Sequence, residues 1–372
     1  MRRIQKEIIE QDLNKKMVFL VGPRQVGKTW LAKEISKNYE NSLYLNYDSS
    51  KDREMMKDES WLPNTDLLIF DEIHKMPKWK NYIKGVFDNK PDDMHILVTG
   101  SARLNTFRQS GDSLAGRYFI HHLLPFSYKE SLIDKKFTLD HLIERGGFPE
   151  TLLADSPEEA VRWRKLYSDN LIRDDILDFE NIQKLKTMQL LLKLLQKRVA
   201  SPLSYKSLAE DLDKAPNTIK KYIQILESLY IVFRVTPFSN NIARSLKKEP
   251  KLYFYDTGMV DGDEGAKFEN YLAVSLLKHS LHLTDTTGEE TQLCYMRTKE
   301  KKEVDFCLTS NDEPILLIEA KTADTAISKD IFYFHQKYKI PATQVVLYLR
   351  KERIQKNITI QKSEVFLKEL SI

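Results

Sequence analysis

The chain has 372 residues, a length typical of two or three domains at roughly 150 residues each. Its 58 Lys and Arg against 54 Asp and Glu give a net charge of +4, which does not indicate a general polyanion binder. Two cysteines are too few for a disulfide framework or a four-ligand zinc site, and no apolar run approaches the ~20 residues of a membrane span or forms a signal-peptide core. These features predict a cytoplasmic protein without a membrane segment.

The first ~130 residues alternate short apolar runs with helical patterns, which is typical of a parallel sheet covered by helices. The predicted strands are Met17 to Val21, Leu43 to Tyr47, Leu67 to Phe70, Ile96 to Thr99 and Tyr118 to Leu123. The sequence therefore predicts an α/β fold for this part of the chain.

A glycine-rich loop follows the first predicted strand and precedes a helical stretch. It matches the pattern G-x-x-x-x-G-K-[ST] over Gly22, Pro23, Arg24, Gln25, Val26, Gly27, Lys28 and Thr29. In such a P-loop, backbone N–H groups surround the phosphates of ATP, Lys28 reaches the β and γ phosphates, and the Thr29 hydroxyl ligates Mg²⁺. A turn with an accidental Lys-Thr is the alternative, but the strand and helix on either side favour the nucleotide site.

The third predicted strand ends in two carboxylates, Asp71 and Glu72. Beside a P-loop, Asp71 is expected to hold Mg²⁺ through water and Glu72 to orient and polarise the attacking water. A helix N-cap pair is the alternative. Leu43 to Tyr47 is a further strand between the two motifs, and with Glu72 it resembles the additional-strand, catalytic-glutamate ATPases.

Two more residues are candidates for this nucleotide site. Ser101 follows the fourth predicted strand, where a polar side chain is placed to contact the γ phosphate or the water. Arg117 precedes the last strand, the position from which ring-forming ATPases insert an arginine into a neighbouring subunit's site. An ordinary surface or salt-bridged arginine is the alternative for Arg117.

The middle of the chain is predicted to be helical. After an ATPase core over residues 1–130, residues 131–200 read as a helical lid, with Met188, Leu191, Leu192 and Leu195 on one face. Residues 201–262 show helix-turn-helix spacing followed by two strands, which predicts a winged helix. On its second helix Asn217, Thr218, Lys220, Lys221 and Gln224 are candidate DNA contacts, and a spacer or partner platform is the alternative.

Residues 263–372 are predicted to form a second α/β domain with a nuclease-like pattern. Asp305 lies on one strand, and Glu319 and Lys321 lie at positions i and i+2 on the next, so both of the latter leave the same face. This is the D...E-x-K arrangement of restriction-endonuclease-like (PD-(D/E)XK) nucleases. Asp305 and Glu319 are expected to hold Mg²⁺, Lys321 to assist the attacking water, and Glu269 to serve as an accessory acid. A salt-bridged strand edge without catalysis is the alternative.

Several stretches together resemble one family over nearly the whole chain. They are Gly-Pro-Arg-Gln-Val-Gly-Lys-Thr, Phe-Asp-Glu-Ile-His-Lys-Met-Pro, Thr-Gly-Ser, Leu-Ala-Gly-Arg-Tyr, Leu-Pro-Phe-Ser-Tyr-Lys-Glu, Gly-Gly-Phe-Pro-Glu, Leu-Tyr-Phe-Tyr-Asp-Thr-Gly and Glu-Val-Asp-Phe. The family is a group of bacterial and archaeal AAA+-type P-loop ATPases that share a C-terminal domain of unknown function. The resemblance implies the architecture more than the cellular role.

These observations predict a Mg²⁺-dependent, ATP-hydrolysing AAA+-type ATPase that acts on DNA by remodelling, translocation or cleavage, as a homo-oligomer with a hexameric ring as the candidate assembly. The alternative is a slow nucleotide-dependent switch that recruits a protein partner, with the nuclease-like domain as a binding module. A third possibility keeps the ATPase but makes the C-terminal domain an inactive nuclease that only holds DNA.

Overall fold

The computed structural model of the protein describes residues 2–100, 114–134, 136–177, 182–239 and 249–372. The chain forms two compact units, Met1–Leu124 and Pro125–Ile372. In the part of the chain that the structure describes, no helix is both long and apolar enough to cross a membrane.

The N-terminal unit contains a five-stranded parallel sheet in the order β2-β3-β4-β1-β5. The strands are β1 Met17–Val21, β2 Ser42–Asn46, β3 Leu67–Asp71, β4 His95–Gly100 and β5 Tyr118–His122. All residues of β1 and β3 are buried, as expected for parallel strands covered on both faces. The predicted α/β fold is therefore confirmed, and the predicted strands agree with the observed ones to within two residues.

The order of strands in space differs from their order in the chain. β2 follows the P-loop in sequence but lies at the edge of the sheet, whereas β4 lies between β1 and β3. The strand inserted between the two motif strands is thus β4 and not the one at Leu43 to Tyr47. The helices of this unit are α1 Lys6–Leu13, α2 Lys28–Ser36, α3 Ser50–Asp58 and α4 Trp79–Asn89.

The C-terminal unit begins with helices. They are α5 Tyr128–Ile133, α6 Leu139–Arg145, α7 Pro149–Leu153, α8 Pro157–Leu177 and α9 Ile182–Gln196. The predicted apolar face of α9 is buried at Met188, Leu191, Leu192 and Leu195. This burial agrees with the 3.6-residue period from which the helix was predicted.

Two further helices, α10 Tyr205–Asp211 and α11 Pro216–Ser228, precede an antiparallel pair of strands, β6 Val232–Pro237 and β7 Lys251–Phe254. Ile219, Ile223 and Leu226 bury one face of α11. Lys220, Lys221 and Gln224 are exposed on the other face. The order of elements is the one that the sequence predicts for residues 201–262.

The sheet that contains β6 and β7 also contains strands that follow residue 262, the predicted end of the winged helix. Thr236 and Pro237 of β6 pair with β8, so one eight-stranded sheet runs in the order β12-β13-β11-β10-β9-β8-β6-β7. Its remaining strands are β8 Thr291–Arg297, β9 Glu303–Ser310, β10 Glu313–Ala323, β11 Ala342–Tyr348, β12 Arg353–Gln355 and β13 Ile358–Lys362. The helices are α12 Glu264–Thr287, α13 Lys329–Tyr338 and α14 Ser363–Glu369.

Two of the sequence stretches that carry the family resemblance meet beside a buried ion pair. Arg164 donates from Nε to Asp256 Oδ2 at 2.8 Å, and Gly258 N–H donates to Asp256 Oδ1 at 3.0 Å. Gly146 lies directly against this carboxylate, since a Cβ at that position would lie 1.8 Å from Asp256 Oδ1, and its φ is +72°. Gly146 of Gly-Gly-Phe-Pro-Glu and Asp256 of Tyr-Asp-Thr-Gly therefore meet in the core, where the close approach requires glycine.

Candidate functional site

The P-loop connects β1 to α2 and is closely packed from its first residue. A Cβ at Gly22 would lie 2.1 Å from the carbonyl oxygen of Leu123, so only glycine lets the backbones approach this closely. The buried Arg3 donates to the carbonyl oxygens of Val26, at 2.5 Å, and Leu124, at 3.0 Å. Arg3 is a supporting residue that the motif does not reveal, because it lies 19 residues before the loop.

Lys28 is held against the backbone of its own loop. Its Nζ donates to the carbonyl oxygens of Gly22 at 3.0 Å and Pro23 at 2.6 Å, and only 7% of the residue is exposed. Burial lowers the pKa of Lys28 to about 8, although the carboxylates of Glu72 and Asp71 oppose that shift. The ammonium group is thus at the phosphate-binding loop and is satisfied by carbonyl oxygens that a phosphate would replace.

Asp71 is the centre of a hydrogen-bond network at the carboxyl end of the sheet. Its Oδ2 accepts from Thr29 Oγ1 at 2.9 Å and from the Tyr44 hydroxyl at 2.6 Å, and its Oδ1 accepts from Thr99 Oγ1 at 2.5 Å. The pKa of Tyr44 is raised, first by burial and then by its hydrogen bond to Asp71. The structure therefore brings together the predicted Thr29 and Asp71, and adds Tyr44 and Thr99, which sequence reasoning missed.

The chemistry of these groups fits a Mg²⁺–nucleotide complex. Thr29 and Asp71 present a hydroxyl and a carboxylate side by side next to the phosphate loop. Mg²⁺ takes oxygen ligands and usually keeps several waters, with one or two protein ligands and the substrate phosphates completing its shell. Among the described residues, no group of three or more His, Cys, Asp or Glu side chains is arranged to hold a metal by itself.

Glu72 follows Asp71 with a backbone that few residues other than glycine adopt. Its φ is +57°, and its N–H donates to the carbonyl oxygen of Thr99 at 3.1 Å. The Glu72 carboxylate lies 3.6 Å from His74 Nε2 and 3.7 Å from Lys75 Nζ, and Lys75 also contacts Asp48 at 2.6 Å. Burial raises the pKa of Glu72, and Lys75 opposes that shift. The carboxylate therefore lies beside the nucleotide site with a lysine next to it.

The other two candidates for this site have different outcomes. Ser101 lies outside the described residues. Arg117 donates from Nε to Asp88 Oδ1 at 2.7 Å and from Nη2 to Asp88 Oδ2 at 3.2 Å. It precedes Tyr118, which pairs with Met17 at the start of β1, about 16 Å along the strand from Gly22. The guanidinium therefore forms a bidentate salt bridge, and Arg117 immediately precedes β5, at the end of the strands opposite the chain's own P-loop.

The predicted nuclease-like residues do lie together in the C-terminal unit. Lys321 Nζ donates to Glu319 Oε1 at 2.9 Å, as their shared strand face predicts, and Asp305 Oδ2 accepts from the N–H of Ala320 at 3.0 Å. Glu269, from α12, accepts a hydrogen bond from the Tyr253 hydroxyl at 2.7 Å. We call Glu269, Glu303, Asp305 and Glu319 the carboxylate cluster.

A lysine that the sequence analysis did not single out lies within this cluster. Lys251 Nζ is 3.2 Å from Glu269 Oε1, 3.0 Å from Glu303 Oε1 and 3.2 Å from Asp305 Oδ1, and its side chain is 1% exposed. Burial acts to lower the pKa of Lys251, but the three carboxylates together outweigh burial and raise it. Alternation along β7 was the available signal, because it places Lys251 on the same face as Tyr253.

The cluster does not fit the Mg²⁺ site that the nuclease resemblance implies. The buried ammonium of Lys251 lies 3.2 Å from Asp305 Oδ1, close to where a metal ion bound to that oxygen would lie. Glu319 Oε2 is buried without a hydrogen-bond partner among the described residues, and one such oxygen is not a ligand set. We therefore derive no metal-dependent cleavage from these residues.

Comparisons with known proteins divide the chain into three segments. Residues 14–132 match the AAA domain family. Residues 136–262 match a domain of unknown function, DUF8612, and residues 264–364 match another, DUF4143. The matched segments agree with the predicted ATPase followed by a shared C-terminal domain of unknown function.

Curated relatives cover most of the chain. A protein of Mycobacterium tuberculosis, described as uncharacterized, is 24% identical over 323 residues, which are 85% of this chain and 72% of the relative. A protein of Methanocaldococcus jannaschii, with the same description, is 24% identical over 375 residues, 90% of this chain and 82% of the relative. These relatives assign no activity.

Solved structures give only distant similarities. A Walker-type ATPase of Pyrococcus abyssi aligns with a TM-score of 0.42 and 13% identity, covering 70% of this chain and 94% of that one. A variant of RuvB from Thermotoga maritima aligns with a TM-score of 0.31 and 17% identity, covering 62% of this chain and 88% of that one. Similarities this distant do not transfer a function to this chain.

Proposed function

Because the N-terminal part of this chain is an AAA-type P-loop ATPase domain, we propose that it hydrolyses ATP with Mg²⁺ and couples hydrolysis to action on DNA. In this proposal Lys28 binds the β and γ phosphates, Thr29 and Asp71 hold Mg²⁺, and Glu72 orients the attacking water. A bound Mg²⁺ would neutralise the charge on the phosphates.

One observation carries the proposal for ATP. The Thr29 hydroxyl lies 2.9 Å from the Asp71 carboxylate, although 42 positions separate the two residues in the chain. A P-loop hydroxyl beside the carboxylate at the end of β3 is a pair of protein ligands suited to a Mg²⁺–ATP complex. Glu72 is the next residue, and in this proposal its carboxylate accepts the hydrogen bond of the attacking water.

The exposed face of α11 supports the DNA part of the proposal. Asn217, Lys220, Lys221 and Gln224 are exposed on this second helix of a helix-turn-helix arrangement. Lysines contact phosphates, and amide side chains can reach base edges when such a helix enters a major groove. We propose that the C-terminal unit holds DNA rather than cuts it, because its carboxylate cluster does not fit a catalytic metal.

A slow nucleotide-dependent switch is the second candidate, and two contacts favour it. Lys28 is hydrogen-bonded to its own loop, and Lys75 lies 3.7 Å from Glu72. Both contacts compete with the roles that rapid hydrolysis requires of Lys28 and Glu72. A switch would turn over slowly and would present the C-terminal unit to a protein partner.

Steady-state ATP hydrolysis by the purified chain tests these alternatives. It is measured alone and with single-stranded, duplex and branched DNA, and Lys28→Ala serves as the control for contaminating ATPases. Stimulation by one form of DNA, abolished in Lys28→Ala, is the result expected of the proposal. Slow turnover that no DNA changes would refute the coupling to DNA and favour the switch.

DNA binding is tested separately through its salt dependence. If Lys220 and Lys221 each neutralise one phosphate, Lys220→Glu/Lys221→Glu should make the slope of log K against log salt less negative by about 1.8, at ~0.9 per phosphate contact. The matched control is Lys299→Glu/Lys301→Glu, which changes two exposed lysines elsewhere in the same unit. An equal loss of binding in both variants would refute a specific role for α11.

A further inference from the structure

A lysine side chain lies in the carboxylate cluster, among the residues where a restriction-endonuclease-like fold would bind a metal ion. Lys251 starts β7, and its ammonium group contacts one oxygen of each of Glu269, Glu303 and Asp305 within 3.2 Å. A charged lysine that is 1% exposed is rare unless it is paired. Its three carboxylate partners come from one helix and one strand, so the contact joins β7, α12 and β9.

The charges of the cluster are balanced by side chains of the protein. Arg297 Nη1 lies 3.3 Å from Glu303 Oε2, and Lys321 Nζ lies 2.9 Å from Glu319 Oε1. With Lys251, three cationic side chains lie against the four carboxyl groups of Glu269, Glu303, Asp305 and Glu319. Buried charges persist only when they are paired in this way.

A divalent cation would have to displace Lys251. A metal ligated by Asp305 Oδ1 would lie within a few ångström of the ammonium that now contacts that oxygen, and two cations at that separation in a buried site repel strongly. Glu319 Oε2, which accepts no hydrogen bond from the part of the chain that the structure describes, marks the place where the cluster still has ligand capacity.

We propose that Lys251 is the resident cation of the carboxylate cluster: it takes the place of a divalent metal, so that the C-terminal domain assembles its nuclease-like site without one. This inference concerns only the C-terminal unit and does not depend on ATP hydrolysis or on DNA binding. The proposal predicts that, without the positive charge at position 251, Glu269, Glu303 and Asp305 can move together around a divalent cation.

The test uses Mn²⁺ as the probe and the full chain as the protein. Every sample carries Asp71→Asn, which removes the carboxylate of the N-terminal site, and contains no nucleotide. Mn²⁺ binding is followed by the loss of the free-ion signal in electron paramagnetic resonance, and unfolding is followed by circular dichroism. Lys251→Met keeps the length and apolar stem of the side chain but removes its charge.

We expect the chain with Lys251 intact to bind no Mn²⁺ in the C-terminal unit. Lys251→Met should unfold at a lower temperature, because Glu269, Glu303 and Asp305 lose the ammonium group that they share, and should bind Mn²⁺ at least about tenfold more tightly than the parent. Mn²⁺ should then raise its unfolding temperature again by mass action. Adding Asp305→Asn to Lys251→Met should remove both the binding and the rescue.

Lys278→Met is the matched control. Lys278 is also buried in this unit, where it forms an ion pair with Glu130, and one carboxylate offers too few ligands for a metal. Mn²⁺ should not rescue this variant, and equal rescue of both variants would overturn the proposal. So would Mn²⁺ binding by the chain with Lys251 intact if Asp305→Asn abolished it. The Mn²⁺ titration of the chain with Lys251 intact tests the proposal even if Lys251→Met does not fold.

Discussion

Removal of the Tyr44 hydroxyl tests whether Asp71 is held as a charged carboxylate by the hydroxyls around it. Tyr44 donates to Asp71 Oδ2 at 2.6 Å, and the acceptor residue is 5% exposed. Hydrogen bonds to charged groups contribute about 1.5–3 kcal/mol, so Tyr44→Phe should lower the free energy of unfolding of the N-terminal unit by about 2 kcal/mol. Asp71 keeps its other two donors, Thr29 and Thr99, so the fold should survive.

The size of the unit converts this energy into a change in melting temperature. For the 124 residues of the N-terminal unit, an unfolding entropy of about 2.1 cal/mol/K per residue gives about 0.26 kcal/mol/K. A loss of about 2 kcal/mol should therefore lower the melting temperature by about 8 °C. The matched control is Tyr82→Phe in the same unit, whose hydroxyl donates to the neutral carbonyl of Met56 at 2.8 Å. It should lose about 1 kcal/mol, or about 4 °C.

Tryptophan fluorescence separates this unit from the rest of the chain. The chain has four tryptophans, of which Trp30, Trp61 and Trp79 lie in the N-terminal unit and Trp163 in the other. In a Trp163→Phe background the thermal fluorescence transition reports the N-terminal unit alone. Measured without nucleotide and with a metal chelator, equal shifts for the two tyrosine variants would show that the charge on Asp71 does not strengthen the hydrogen bond from Tyr44.

Three further predictions concern other contacts of the two units. Arg117→Ala should keep ATP turnover within about threefold of the parent, because the guanidinium forms a salt bridge at the end of the sheet away from its own P-loop. A loss of about 10³-fold that recovers on mixing with a P-loop variant would instead show an arginine finger acting in trans. Arg164→Met should lower the free energy of unfolding in urea by about 3–5 kcal/mol, since it removes the cation paired with the buried Asp256. Arg198→Met removes one partner of a more exposed pair and should lower it by no more than about 1 kcal/mol. Equal losses in the two variants would contradict this distinction between buried and exposed pairs. Burial lowers the pKa of His279 from 6.5 to about 4. Between these two pH values the unfolded state binds more protons than the folded state, so the free energy of unfolding falls as the pH decreases. His279→Asn should reduce the slope of the free energy of unfolding against pH by up to about one proton, and an unchanged slope would refute the role of His279.

Local patterns in the sequence predicted the nucleotide site. The spacing from Gly22 to Thr29, with an apolar strand before it and a helix after it, indicates a P-loop without any knowledge of the rest of the chain. The pairing of Glu319 with Lys321 also follows from two positions on one strand. Both predictions depend on backbone geometry within a few residues, which sequence spacing specifies directly.

Local sequence patterns did not predict the order of the strands in the sheets. Only the assembled sheet places β4 between β1 and β3 and brings Thr99 to Asp71, and only the pairing of β6 with β8 joins the predicted winged helix to the C-terminal sheet. Neighbouring strands in a parallel sheet are connected through long crossovers, so proximity in the chain does not determine proximity in the sheet.

The carboxylate cluster shows most clearly which features follow from the sequence and which depend on the tertiary structure. The sequence by itself determined which acids lie on β9, β10 and α12, because each lies in a recognisable pattern around Glu269, Asp305 and Glu319. Only the tertiary structure decided what balances their charge, since Lys251 is 18 positions from Glu269 and 54 from Asp305. A buried charge is stabilised by whichever opposite charge the fold places next to it, and that choice depends on packing across the whole unit.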